Sequence, residues 1–138
     1  MNTPDCMNFE MTMRVRDYEV DSQGIVNNAN YLHYMEHTRH EFCRHWGTTF
    51  RQMQEAGIDP VVSSINIRYR APLGLGDEMV SRLRLYREGI RFVFHQAVFR
   101  ASDMALCAEA DITVVCLEHG RLTRGEVLAE AFANYFNQ

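Results

Sequence analysis

Residues 18–36, "YEVDSQGIVNNANYLHYME", place one carboxylate, Asp21, ahead of Gly24, three asparagines within four positions, and then the first turns of a helix. Short polar side chains before an apolar-periodic run are a helix N-terminal signal, because their oxygens accept from N–H groups that have no intrahelical partner. The run that follows, Asn30 to Trp46, carries Leu32, Met35, Phe42, Cys43 and Trp46 at helical spacing. Gly47 then stands where a helix end favours a left-handed residue. This is the principal helix of the chain, and the remaining elements are read by what they can place against it.

Outward from the helix, the period changes. "FEMTMRV" alternates, with Phe9, Met11, Met13 and Val15 on one face of a half-buried strand. Thr49 and Gln52 form a capping box for a short helix ending at Gly57, with Pro60 beyond it. From Val61 the pattern has period two: "VVSSINIRYRAPL" sets Ile65, Ile67 and Tyr69 against Asn66, Arg68 and Arg70, and "DEMVSRLRLYRE" alternates Leu83 and Leu85 with Arg82 and Arg84. Gly89 reverses the chain into "IRFVFHQAVFR". "ASD" reverses it again into "MALCAEADITVVCLE", where Leu106, Ala108, Ala110, Ile112, Val114 and Cys116 share a face. Four strands with short connections predict an antiparallel meander. Thr123 and Glu126 predict a second capping box and a terminal helix to about Phe136.

The composition excludes several classes of function. The 138 residues are expected to form one domain spanning 1–138, with 46% apolar and 23% charged residues and no apolar run near the ~20 residues of a membrane span. The formal charge is −4 and all fourteen basic residues are arginine, scattered along the chain, which argues against nucleic acid as a partner. The absence of lysine removes Schiff-base chemistry and a P-loop lysine. Cys6, Cys43, Cys107 and Cys116 have no C-x-x-C spacing and are expected as reduced, buried thiols. "MNTPDCMNFEM" has neither a basic n-region nor an apolar h-region, so a cytoplasmic protein is expected.

A sheet with one apolar face needs the strongest helix as its cover. The expectation is an α+β hotdog arrangement: a curved antiparallel sheet wrapped on one long central helix, with a C-terminal helix. "DSQGIVNNANYLHYME" resembles the signature of the 4-hydroxybenzoyl-CoA thioesterase group of hotdog enzymes, the matching residues being Asp21, Gly24, Ile25, Val26, Asn30 and Tyr31. "INIRYRAPLGLGDEM" resembles the family's strand and Gly-Asp turn, and the likeness runs over roughly residues 9 to 118.

The resemblance implies an acyl-CoA thioesterase without cofactor or metal. Asp21 attacks the thioester or deprotonates water, and the backbone N–H of Asn28 serves as oxyanion donor at the positive end of the helix dipole. Gly24, Ile25, Val26, Asn27 and Tyr31 are the implied substrate-binding residues. Many relatives carry His where this chain has Asn28, and plant-type acyl-carrier thioesterases carry it where this chain has Ile25, so the loop offers no histidine. A hydratase or dehydratase would want that base, and a non-catalytic acyl-CoA-binding protein is the other alternative. The resemblance also implies a homodimer, or a dimer of dimers, with sites at the subunit boundary; the thioester carrier is coenzyme A or an acyl carrier protein.

Other residues offer weaker patterns. His33, His37 and His40 recur on one helical face with Glu36 and Glu41 beside them, but lack H-E-x-x-H spacing, so a polar stripe is expected there. Glu36 is a reserve acid on the helix, and His95 among Phe92, Phe94 and Phe99 reads as structural. Arg68, Arg70, Arg87 and Arg91 are available to a phosphorylated nucleotide. "GLG" at 74–76 precedes a strand and is a turn.

Overall fold

A computed structural model describes residues 7–138. Cys6 lies outside the described residues. The elements in order are β1 (Phe9–Arg14), α1 (Asn28–His45), α2 (Phe50–Glu55), β2 (Ile58–Tyr69), β3 (Glu78–Glu88), β4 (Arg91–Arg100), β5 (Ala105–Glu118), β6 (Arg121–Leu122), α3 (Glu126–Ala131) and α4 (Ala133–Phe136). A single-turn helix at Asp17–Glu19 precedes the signature loop. The sheet is antiparallel in the order β1-β3-β4-β5-β2, with β6 on β5, and α1 covers its concave face: the hotdog arrangement.

The apolar alternation read from the sequence is what buries one face of each central strand. Leu83 and Leu85 on β3, Phe92 and Phe94 on β4, and Ala110, Ile112 and Val114 on β5 all lie inside. Phe42 of α1 is wholly buried on that face and meets Phe9, Phe94, Phe132 and Tyr135 at ring-centroid distances of 5.6, 5.9, 5.5 and 4.9 Å. Polar contacts fix the helix on the sheet. Thr38 Oγ1 donates to the Tyr34 carbonyl and lies 2.7 Å from Ser81 Oγ, while Gln96 Nε2 donates to the Met35 carbonyl at 3.0 Å and its Oε1 accepts from Arg39.

The structure corrects the sequence reading in four places. β2 and β3 are not neighbours: β3 is already paired with β1, and the connection 70–77 carries the chain across the sheet from β2 beside β5. Leu106 does not share the inner face of β5, because the register shifts between Val98 and Phe99 and Cys107 turns inward instead. Glu126 closes no capping box. Thr123 Oγ1 accepts from Gly125 N–H, and Gly125, at φ +79° with Phe92 where a Cβ would stand, is the residue before the helix. The terminal helix is broken at Phe132 into α3 and α4. By contrast, Thr49 caps α2 through Gln52 N–H, and Gly47 and Gly57 take positive φ at the ends of α1 and α2.

Cys43, Cys107 and Cys116 are free and buried, and burial pushes the Cys43 thiol up to about 12. Because the folded state holds this proton more tightly than the unfolded state, its contribution to stability is complete below the ordinary thiol range and is lost as pH rises toward 12. Urea titrations across that interval should show stability falling with pH, less steeply in Cys43→Ser. Phe42→Ala should cost about 3–5 kcal/mol in the same measurement at neutral pH, since it opens a cavity at the centre of the aromatic cluster.

Candidate active site

The signature loop is built as a narrow turn opening onto α1. Val20 bridges Val26, Asp21 N–H donates to the Ile25 carbonyl at 2.8 Å, and Gly24 N–H donates back to the Asp21 carbonyl at 3.0 Å. Gly24 sits at φ +78°, a conformation that costs a side-chain-bearing residue about 1 kcal/mol or more. The Asp21 carboxylate is exposed and accepts Gln23 N–H at 2.8 Å through Oδ1; no ion pair occupies it among the described residues.

The helix begins two residues before the expected Asn30, because Asn27 is its cap. Asn27 Oδ1 accepts Ala29 N–H and the Asn27 carbonyl accepts Asn30 N–H, each at 2.9 Å. With Ala29 and Asn30 so satisfied, the N–H of exposed Asn28 is left without an acceptor among the described residues. The first turn of α1 carries no acid of its own, so its positive end is not neutralised from within the helix. Tyr69, at the end of β2, donates its hydroxyl to the Asn28 carbonyl at 3.2 Å.

A second loop, 71–77, clamps the first. Val26 N–H donates to the Leu73 carbonyl at 2.9 Å, Ile25 bridges Gly74, and Leu73 N–H donates to the Tyr31 hydroxyl at 3.3 Å. Asp77 accepts Gly74 N–H, closing the "GLGD" turn. Val26 and Tyr31, expected as substrate contacts, are instead 4% and 3% exposed. Their apolar surfaces are consumed in holding the two loops, and burial raises the Tyr31 hydroxyl pKa. Gly24, Asn27 and Asn28 are exposed, and Ile25 is half-buried.

Glu19 was not singled out by the sequence reading. Its buried carboxylate accepts Arg16 N–H at 2.8 Å and the Tyr34 hydroxyl at 2.9 Å, and its carbonyl accepts both Asn27 N–H and the Asn30 side-chain amide. It therefore ties the entry to the loop to the first turns of α1. Desolvation, then the Glu19 bond, raises the Tyr34 hydroxyl pKa. The only hint in the sequence was a Glu two residues before Asp21, which on its own reads as a solvated charge.

The remaining candidates stand apart. His33 and His37 are exposed, His37 lies 3.9 Å from Glu41, and His40 packs on Phe50 at 4.8 Å. No group of three potential metal ligands occurs among the described residues. His95 is buried on the outer face of β4 with Nδ1 2.6 Å from Asp111 Oδ1. Arg87 is held by Glu126 and the Arg124 carbonyl, and Arg70 lies 3.9 Å from Glu109, while Arg68 and Arg91 are exposed. Glu36 is exposed on α1. No helix among the described residues is long and apolar enough to cross a membrane.

A long helix in a curled antiparallel sheet, with an exposed acid before its open N-terminus, defines the class. Residues 15–133 match the model of the thioesterase-like superfamily, and the chain belongs to that family. It is 33% identical over 111 residues to the chloroplastic acyl-acyl carrier protein thioesterase ATL2 of Arabidopsis thaliana, covering 80% of this chain and 59% of that protein, so it spans about three fifths of that relative. The long-chain acyl-CoA thioesterase FadM of Escherichia coli is 32% identical over 80% of this chain and 83% of its own. The crystal structure of a hypothetical protein from Aquifex aeolicus superposes with a TM-score of 0.82 at 30% identity, covering 91% of this chain and 99% of that one.

Glu19→Ala strips partners from Arg16 N–H and the Tyr34 hydroxyl at once. It should lower stability by roughly 2–4 kcal/mol in chemical denaturation, and hydrogen exchange should speed up at Asn27 and Asn30 more than in β4.

Proposed function

We propose that the chain is a thioester hydrolase acting on an acyl-CoA or acyl-carrier thioester in the cytoplasm, with Asp21 as its acid-base or nucleophilic group and the Asn28 N–H as oxyanion donor. The observation that carries this reading is the unpaired N–H of Asn28 at the uncompensated end of an eighteen-residue helix, with an exposed carboxylate on the turn that feeds it. The ATL2 and FadM relatives, thioesterases for acyl carrier protein and for long-chain acyl-CoA respectively, support the reaction class.

In the general-base route, Asp21 takes a proton from water as the oxygen adds to the thioester carbonyl. The carbonyl oxygen becomes an oxyanion and accepts from Asn28 N–H. Collapse breaks the C–S bond, and the thiolate recovers the proton from the Asp21 carboxylic acid. In the nucleophilic route, the Asp21 carboxylate adds to the carbonyl, the C–S bond breaks to expel the thiolate and leave a mixed anhydride, and water hydrolyses that anhydride, restoring Asp21 and supplying the proton the thiolate takes up. Gly24, Ile25 and Asn27 line the approach in either case, and Val26 and Tyr31 keep its shape from beneath.

The active unit is a homodimer, or a dimer of dimers, joined through β2. This strand pairs only with β5 among the described residues and carries exposed Val61, Val62, Ile65 and Tyr69. An unpaired apolar edge is a template for another strand, and a second copy supplies one with two-fold symmetry.

Asp21→Asn should reduce thiol release from acyl-CoA by at least about a hundredfold. Asn28→Ala keeps the backbone donor and should stay within a few-fold of wild type. Asn28→Pro removes that donor at a helix position where proline is favoured, after an Asn27 whose ψ of 140° already suits a following proline. It should cost about a hundredfold to a thousandfold in kcat with the fold intact by circular dichroism. Binding of acyl-CoA without thiol release in wild type would replace hydrolysis with a carrier role, and full activity in Asp21→Asn would discard the site.

A further inference from the structure

The turn 71–77 clamps the signature loop, and its own shape is held in turn. Arg70 and Ala71 N–H donate to the Cys107 and Leu106 carbonyls of β5 where the turn begins, and the Asp77 carbonyl accepts Val15 N–H at 2.9 Å where it ends. Between these anchors lie two successive peptide units. In the Leu73–Gly74 unit the carbonyl accepts Val26 N–H and the N–H donates to Asp77 Oδ2 at 2.8 Å. In the Pro72–Leu73 unit the N–H donates to the buried Tyr31 hydroxyl, and the carbonyl accepts from Arg100 Nη1 at 2.7 Å. A planar peptide unit bonded through both its N–H and its carbonyl has one orientation left to it.

Arg100 is itself oriented before it reaches the turn. It ends β4, and Asp103 in the reversal that follows takes its guanidinium in a fork, Nε to Oδ1 at 3.0 Å and Nη2 to Oδ2 at 2.8 Å. Asp103 Oδ1 also accepts Ala105 N–H at 3.1 Å, and Met104 N–H donates to the Arg100 carbonyl at 2.7 Å, so the acid stands on a closed turn. A bidentate carboxylate fixes the plane of a guanidinium as well as its place. The nitrogen left over, Nη1, is the one that meets the Pro72 carbonyl. The Arg100 bonds, then Ala105 N–H, hold the Asp103 carboxyl down at about 2, so the fork is fully ionised at neutral pH.

We propose that Arg100 is a positioning residue of the active site: forked by Asp103, it fixes the Pro72–Leu73 peptide and, through Leu73 and Val26, the placement of Asp21 relative to the Asn28 N–H. This rests on the thioesterase reading above. Arg100 acts on the two reacting groups from one point, because the chain leads both ways from Val26. Backward lies Ile25, whose carbonyl accepts Asp21 N–H, and forward lies the Asn27 cap and then Asn28. Without the Arg100 bond the Pro72–Leu73 peptide is free to turn, and a misplacement of about 1 Å between acting groups costs about a hundredfold in rate. Contacts along the rest of the substrate are unaffected, so the loss falls on kcat and leaves KM nearly unchanged.

The test compares wild type, Arg100→Met, Asp103→Ala and the double variant in thiol release from whichever of acetyl-, hexanoyl- and decanoyl-CoA wild type turns over fastest, together with amide hydrogen exchange. Arg100→Met should lower kcat at least about tenfold with KM within about twofold. Asp103→Ala should lower kcat less, and the double variant no further than Arg100→Met, because both residues act through one contact. Exchange at Val26 should quicken at least about tenfold in Arg100→Met while that at Phe94 in β4 holds its wild-type rate. Exchange is read without turnover, so absence of hydrolysis in wild type would remove the thioesterase reading and leave the positioning claim to the Val26 rate. Unchanged kcat, a raised KM alone, additive losses in the double variant, or an unchanged Val26 rate overturns the proposal. So does exchange quickened equally at Val26 and Phe94, which would make Arg100 a stabiliser of the whole fold.

Discussion

The structure depends on the burial of one face of α1 in the concavity of the sheet. Phe42 is the centre of that contact, gathering aromatic rings from β1, β4 and the C-terminal helices. Apolar burial is non-directional and could hold the helix at several rotations and offsets. The polar pins remove that freedom: Thr38 against Ser81 and Gln96 against the Met35 carbonyl have satisfied partners at one register only, and leaving such groups unpaired in the core costs about 1–3 kcal/mol each. A helix held this way has its N-terminus at one place, which an anion-binding end needs before it can act on a reacting carbonyl.

The same logic extends to the loop before the helix. Its residues are mostly exposed and could not hold a shape through their own packing. The shape is imposed from two sides, by the 71–77 turn through Leu73 and Gly74 and by Glu19 through Asn27 and Asn30. Asp21 can then remain exposed, without an ion pair among the described residues, while its backbone is fixed by the Ile25 and Gly24 hydrogen bonds. Support is buried and the chemically competent groups are left open, an arrangement that preorganises a site without spending its polar groups on stability.

β2 shows the opposite treatment. α1 lies over β1, β3 and β4, whereas β2 meets α2 and α3 and keeps Val61, Val62 and Ile65 exposed. Its edge and its inward face are separate surfaces, one made of backbone groups and the other of side chains.

Much of this was legible in the sequence because the deciding signals are local. Helical spacing of Met35, Phe42 and Cys43, period-two alternation through β3 to β5, the Thr49 cap and the turn glycines each express a backbone preference or a face that needs cover, and these determined the elements, the fold class and the place of Asp21 and Asn28 at a helix start. What tertiary structure alone decided involves partners distant in the chain. Whether β2 lies beside β3 or β5 depends on which edge β1 has already taken. Whether Tyr31 faces a ligand or clamps Leu73, and whether Glu19 is a solvated charge or a buried anchor, depends on residues up to 42 positions away that no local pattern records. Alternation says that Ile65 has an inward side, but only the assembled sheet shows that α1 is too narrow to cover it.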